Sequence, residues 1–210
     1  MAPQRDSAAT RARILKTAGE VFAEAGLAGA RTDAIAMAAG VNKALLYYYF
    51  KSKEGLYRAV LEDHLKEFSR RALEIFAAGD PPGQTLMRYV SYHFDFMGAR
   101  PYYPRLIQRL MMTGGLPAER LIREHLAPLS KMLQKVIARG MRTGEFRAFD
   151  IHHTAISLVA LIVFYFGAAA AVRRHGVKDP FRKVSLARRK AEVLKFIRYA
   201  LFRDPEAGVA

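Results

Sequence analysis

The pattern in residues 32–51 constrains the fold most, because it predicts two short helices joined by a tight turn. Thr32 and Asn42 are both of a type that caps helix N-termini. Gly40, between them, can adopt the left-handed backbone conformation that ends a first helix. The inward stripe of the second helix then recurs with helical spacing at Leu46, Tyr49 and Phe50. These features together predict a helix-turn-helix.

The outward face of the second helix would carry Lys43, Ala44, Tyr47, Tyr48 and Lys51. Tyrosine rings are normally at least partly buried, so two adjacent ones facing water suggest a partner. DNA fits, because tyrosine hydroxyls can donate to phosphates and a lysine at the start of the helix can reach guanine or phosphate. Ala44 and Leu45 could contact only a thymine methyl. The alternative is an ordinary helical hairpin with a polar outer face.

Residues 32–56, and above all the run Leu-Tyr-Tyr-Tyr-Phe-Lys-Ser-Lys-Glu at 46–54, resemble the TetR family of bacterial repressors. The resemblance implies a three-helix DNA-binding head, a larger helical ligand-binding body, a homodimer, and release of DNA when a small molecule binds. Leu45 departs from the smaller or polar residue common at its position. By matching position, the implied DNA contacts are Thr32, Lys43, Tyr47, Tyr48 and Lys53.

Helical periodicity continues behind this motif, and no convincing pair of strands appears, so we predict an all-α fold. We expect a helix-turn-helix domain at 1–55, a helical ligand-binding and dimerisation domain at 56–204, and a loose tail at 205–210. Pro128 predicts a kink or a split in its helix. The predicted helices are 11–25, one beginning after Ser52, and about 84–98, 102–113, 118–142, 150–174 and 181–203.

The formal net charge of +15 is unevenly distributed. Residues 1–57 carry 8 Lys/Arg against 5 Asp/Glu, whereas 173–203 carry 11 against 2. The basic stretch is either a solvated helical face or a site for an anionic partner. The sequence has no cysteine, which excludes disulfides and thiol catalysis. The polar start argues against a secretory signal, so we expect a cytoplasmic protein.

Residues 155–172 contain no charged side chain, and the length of this stretch is at the lower end of the range for a transmembrane helix. Ser157, Tyr165 and several alanines lower the apolarity of the stretch, so we do not expect a membrane span. A helix that is apolar on all sides needs cover, and a second copy of the chain would supply it. The predicted dimer interface combines this helix with the last one, at Ala160, Gly167, Ala171, Ala191, Leu194 and Ile197.

Aromatic and methionine side chains crowd the middle of the chain, mostly as expected for a core. An apolar cavity among them, with a few polar groups, would suit a lipophilic effector. The basic stretch 173–203 favours an anion, such as a fatty acid or acyl thioester, over a cation. The predicted ligand-binding residues are His93, Phe94, Met97, Tyr103, Ile107, Met111, His125 and Tyr165.

The sequence offers little support for catalysis. Nucleophile-elbow, Walker and dinucleotide-binding motifs are absent, and the adjacent His152 and His153 point about 100° apart on a helix, which is unsuited to a shared metal. We therefore predict no enzyme activity, cofactor or metal. A ligand-responsive repressor is the main hypothesis. A constitutive DNA-binding or architectural protein without an effector is the alternative, and an enzyme is a distant third.

Overall fold

A computed structural model describes residues 3–113 and 116–206, with side chains described within 7–112 and 119–206. These residues form no β-strand, and an isolated bridge pairs Phe146 with Phe202. The helices are α1 (Pro3–Gly29), α2 (Thr32–Ala38), α3 (Lys43–Phe50), α4 (Lys53–Ala77), α5 (Pro82–Gly98), α6 (Tyr103–Thr113), α7 (Leu116–Leu121), α8 (Ala127–Thr143), α9 (Ile151–Gly167), α10 (Ala169–Arg174) and α11 (Lys183–Leu201). The all-α prediction is confirmed.

The chain divides into two compact units, neither of which is continuous in sequence. The first contains residues 1–66 and 102–121, and the second contains 67–101 and 122–210. Helix α4 contributes residues to both units, whereas α6 belongs to the first.

In the first unit, α2 and α3 pack with α1, whose inward stripe includes Ile14, Ala18 and Phe22. Helix α6 lies along α1. A Cβ atom on Gly19 would lie 2.6 Å from the Tyr102 ring, so the glycine permits this close approach. Arg109 on α6 donates to the Glu24 carbonyl at 3.1 Å, which ties the end of α1 to α6.

In the second unit, α5 is central, because it contacts α8, α9 and α11. Phe94 on α5 packs against Phe166 on α9, with ring centroids 4.9 Å apart. Near the chain's end, the Phe146 and Phe202 rings meet edge to face at 5.0 Å. Aromatic side chains thus fill the interior of this unit.

Two of the predicted helices are interrupted, one of them the helix in which Pro128 predicted a kink or a split. Instead of one helix at 118–142, the chain forms α7, a π-helical turn at Ile122–Leu126, and α8. Pro128 falls in the first turn of α8, where its missing N–H costs no hydrogen bond. Of the two predicted alternatives, a kink or a split, the helix is therefore split. Instead of one helix at 150–174, Ala168 leaves helical geometry (φ −100°, ψ 32°) and separates α9 from α10. Residues 207–210 of the predicted tail lie outside the described residues.

Candidate nucleic-acid interface and ligand region

The turn between α2 and α3 is set by local chemistry, as the sequence predicts. Gly40 adopts a φ of +62°, in the left-handed region. The Asn42 side chain accepts a hydrogen bond from the Leu45 amide at 2.7 Å and so caps α3. The Val41 amide donates to the Ala36 carbonyl at 3.0 Å, which closes the corner. These contacts fix the direction in which α3 presents its outward face.

Thr32 does not cap α2, contrary to the sequence-based prediction. Arg31 occupies the N-cap position, with no capping bond from its side chain, and Thr32 is the first helical residue. The Thr32 hydroxyl is buried and lies 3.3 Å from the Tyr47 hydroxyl. The Thr32 side chain therefore pairs with a residue of the neighbouring helix α3 instead of with a backbone N–H of α2. The pair links Tyr47, in the middle of α3, to the first residue of α2.

Lys43, at the first turn of α3, forms an ion pair with Asp33 on α2, with Nζ 2.8 Å from Oδ1. Both side chains are exposed. The hydrogen bond and the opposite charge lower the pKa of Asp33 and raise the pKa of Lys43. Sequence reasoning missed this pair, because Asp33 and Lys43 lie on different helices.

The remaining candidates on α3 differ in exposure. Tyr48 is 69% exposed, and the Lys51 ammonium lies 5.6 Å from its ring centroid. Tyr47 and Ala44 are exposed, whereas Leu45 is half-buried. The structure therefore brings a lysine and two tyrosine rings together on one outward face.

Lys53 has a structural partner that the sequence did not reveal. Its ammonium donates to the carbonyls of Ala28 and Ala30, at 3.2 and 3.3 Å. Two of its three N–H bonds thus hold the end of α1, and the third remains for a phosphate. Ser52 caps α4, because its hydroxyl accepts a hydrogen bond from the Gly55 amide at 2.9 Å.

Five of the predicted ligand-binding residues belong to the second unit. His93, Phe94, Met97 and Tyr165 are buried, and His125 is half-buried in the π-helical turn. The Phe94 and Tyr165 rings come together at 6.2 Å, and the Tyr165 hydroxyl donates to the Pro180 carbonyl at 3.1 Å. Four of these five residues therefore lie in the interior of the second unit.

His93 is a buried polar residue of this group. Its ring lies 4.8 Å from Phe68 and 5.7 Å from Tyr89 between centroids. Its Nδ1 atom is buried and has no hydrogen-bond partner among the described residues. Burial lowers the pKa of His93 to about 4, so the ring is neutral at pH 7.

The other three ligand candidates lie on α6, in the first unit. Tyr103 and Ile107 are buried, and the Tyr103 ring lies 5.1 Å from His64. Met111 is 52% exposed. These three residues therefore belong to the first unit, whereas His93 belongs to the second.

The predicted dimer residues lie on α9, α10 and α11 and differ in exposure. Ala160 and Ala191 are exposed, and Gly167, Ala171 and Leu194 are half-buried. Ile197 is only 1% exposed, so it packs within its own subunit rather than on a surface. The sequence missed larger exposed apolar side chains on α9 and α11, namely Ile156, Phe164, Val184, Phe196 and Tyr199.

No helix of residues 3–113 or 116–206 is long and apolar enough to cross a membrane. The same ranges contain no group of three or more His, Asp or Glu side chains placed to hold a metal ion.

Two family models match the chain. The model described as bacterial regulatory proteins of the TetR family matches residues 14–60, which include α2 and α3. The model described as a tetracycline repressor-like C-terminal domain matches residues 82–197, more than half of the chain.

Curated relatives and solved structures give the same picture. The chain is 31% identical over 195 residues to the HTH-type transcriptional repressor NicS of Pseudomonas putida, covering 90% of this chain and 88% of NicS. The ketosteroid regulator KstR2 of Mycobacterium tuberculosis has the same fold, with a TM-score of 0.78 at 20% identity over 92% of this chain and 95% of KstR2. The regulator FadR of Bacillus subtilis, solved with stearoyl-CoA, gives 0.70 at 21% identity over 89% of this chain and 96% of FadR.

Proposed function

The chain belongs to the TetR family of bacterial regulatory proteins, and we propose that it represses transcription as a homodimer that a small lipophilic effector releases from DNA. It is a DNA-binding transcription regulator, like the relatives that are named regulators and repressors rather than enzymes. As a regulator of transcription, it would act in the cytoplasm.

The outward face of α3 carries the proposal. Lys43, Tyr47 and Tyr48 are exposed together on a short helix whose opposite face is anchored by Leu46 and Phe50. A helix of this kind can enter a major groove, where lysine reads guanine or contacts phosphate and tyrosine hydroxyls donate to phosphates. Ala44 and Leu45 would add apolar contact with a thymine methyl.

A homodimer would present two copies of α3 to one side of the duplex. The operator would then be a short imperfect palindrome with half-sites about one helical turn apart or somewhat more. The exposed apolar side chains of α9 and α11 support this assembly, because Phe164 is 66% and Ile156 65% exposed. Such a surface, with Ala160 and Ala191 beside it, suits contact with an identical surface.

We place the effector in the second unit, next to His93. A neutral buried imidazole with an unpartnered nitrogen can hydrogen-bond a polar group of a ligand. Phe94, Met97 and Tyr165 would contact its apolar part, and Met97 can adapt to ligand shape. A related fold binds stearoyl-CoA, which supports a lipophilic ligand. The basic stretch 173–203 favours an anion over a cation.

The effector can act only through different affinities for two conformations of the dimer. A preference of about 100-fold for the DNA-incompetent conformation supplies about 2.7 kcal/mol per site. Helix α4 has residues in both units and is one covalent path for such a change.

The test is titration of lipophilic anions, cations and neutral compounds into the preformed complex of protein and operator, followed by fluorescence anisotropy. The proposal expects at least one anion to release the DNA, and a His93→Leu variant to need at least about tenfold more of it. Release by cations alone would contradict the charge argument. If no compound releases the DNA, a constitutive DNA-binding protein is the better description.

A further inference from the structure

A cleft of about 1100 Å³ opens in the second unit, lined by α4, α5, α11 and the turn after α8. Its wall on α5 is the outer face of that helix, where Gln84, Arg88, Ser91 and Asp95 recur with helical spacing. His93 lies on the buried face of the same helix. The cleft is therefore distinct from the effector region proposed above.

The floor of the cleft is largely apolar. Ile75 and Phe202 are buried there, and Met87 and Tyr92 are half-buried. Phe202 reaches this position because Gly83 has no side chain, since a Cβ atom would lie 2.6 Å from the ring. The floor can accept an apolar ligand body of several carbon atoms.

The three acidic groups that line the cleft already have partners. Glu145 accepts from the Gly83 amide at 2.8 Å, at the start of α5. Asp95 pairs with Lys190 at 2.6 Å. Asp204 accepts from the amide two residues further along the chain at 3.1 Å. These carboxylates do not need a cation, and they disfavour ligands that carry more than one negative charge.

The arginines that line the cleft are not equally satisfied. Arg71 pairs with Glu74 at 2.8 Å, Arg88 pairs with Asp80, and Arg203 donates through Nε to the Phe146 carbonyl at 3.4 Å. Arg198 lines the same cleft, but its buried Nη1 has no hydrogen-bond partner within the described part of the chain. Its guanidinium lies 5.8 Å from the Phe202 ring centroid. A buried charged donor without an acceptor is costly, so an acceptor supplied by a ligand would be favourable.

We propose that this cleft binds a monocarboxylate with an apolar body. The carboxylate would accept hydrogen bonds from the Arg198 guanidinium, after a small rotation of that side chain, and the body would lie on Ile75, Met87 and Phe202. The cleft holds three carboxylates and one buried guanidinium nitrogen, Nη1 of Arg198, that has no acceptor among the described residues, which matches a single negative charge better than a phosphate dianion. This site requires neither DNA binding nor the effector region at His93.

The test is calorimetric titration of octanoate into the DNA-free protein, with 1-octanol as the neutral probe of equal length. We expect octanoate to bind and Arg198→Gln to weaken it by at least about tenfold, as the loss of a charge-assisted hydrogen bond predicts. Octanol should bind weakly and equally to both proteins. Arg188→Gln is the matched control, since Arg188 is an exposed arginine on the same helix outside the cleft.

A second variant locates the site without changing any charge. Ser91→Phe would fill the cleft and should reduce octanoate binding while leaving thermal unfolding near the wild-type midpoint. A diazirine-bearing octanoate should label peptides containing Met87 or Phe202, and excess octanoate should suppress the label. The proposal is overturned if the wild type does not bind octanoate at millimolar concentration, or if Arg198→Gln and Ser91→Phe both bind as the wild type does.

Discussion

The Lys43 ammonium lies 2.8 Å from Oδ1 of Asp33, so the cation at the start of α3 is already ion-paired in the free protein. A nearby DNA phosphate would compete with Asp33 for this lysine. The Asp33 carboxylate would also repel the phosphate backbone. We therefore expect Asp33 to oppose the DNA binding that Lys43 would favour.

The first prediction separates these two effects. Asp33→Asn should raise DNA affinity several-fold, because it frees Lys43 and removes a negative charge from the interface. Lys43→Ala should weaken binding by about tenfold and reduce the salt dependence by about one phosphate contact. Anisotropy titrations at 50 and 200 mM salt measure both. Asp63→Asn, an exposed acid on α4, is the control, and an equal gain there would show that only net charge matters.

The second prediction concerns the exposed tyrosines. Tyr48→Ala should weaken binding to all sequences alike by about tenfold, because phosphate contacts carry no sequence information. Tyr47→Phe should have a smaller effect, since it removes only a hydroxyl that also bonds Thr32. Tyr49→Phe is the control, because the Tyr49 hydroxyl lies 2.9 Å from Ser7 within the protein. Equal affinities for the Tyr48→Ala and Tyr49→Phe variants would show that the assigned face is wrong.

The third prediction concerns assembly. Phe164→Glu should convert a dimer into monomers, because an unpaired charge in an apolar interface costs several kcal/mol. Operator binding should fall with it, since a single half-site binds weakly. Phe149→Glu changes another exposed phenylalanine, outside α9 and α11, and should leave the dimer intact. Sedimentation velocity at micromolar concentration distinguishes these outcomes, and a monomeric wild type would contradict the assembly.

The fourth prediction follows from the pKa of His93, which burial lowers to about 4. The unfolded chain binds this proton below about pH 6.5, whereas the folded protein excludes it, so stability falls as the pH falls through this window. Between pH 7.5 and 5, the wild type should lose about 2 kcal/mol of unfolding free energy relative to His93→Leu. Urea unfolding at several pH values measures the difference. A constant difference would show that His93 becomes protonated in the folded state without penalty.

Features fixed by neighbours in sequence could be predicted from the sequence. The side chains of Asn42 and Ser52 each accept a hydrogen bond from the backbone amide three residues ahead. Gly40 has a positive φ, which glycine tolerates better than other residue types. The prediction that Thr32 caps α2 is wrong, because the Thr32 side chain pairs with the Tyr47 hydroxyl on α3. The structural bonds of Lys53 were missed for the same reason.

Features that depend on tertiary packing could not be read from one sequence. The helical period marks which side of α11 is apolar, but it does not show that Ile197 faces the core while Phe196 and Tyr199 face outward. The cleft near Arg198 is lined by helices far apart in sequence. The fold class could therefore be predicted from the sequence, whereas the cleft near Arg198 could not.

The central claim is that two copies of α3, one from each subunit of a dimer, bind DNA through their outward faces. Selection of binding sites from a random duplex library, with wild type and a Lys43→Ala/Tyr47→Phe/Tyr48→Ala variant in parallel, tests it directly. The wild type should enrich a short imperfect palindrome, and the variant, folded by circular dichroism, should enrich none. Enrichment of the same palindrome by both proteins, or of no motif by the wild type without an added ligand, would contradict the account.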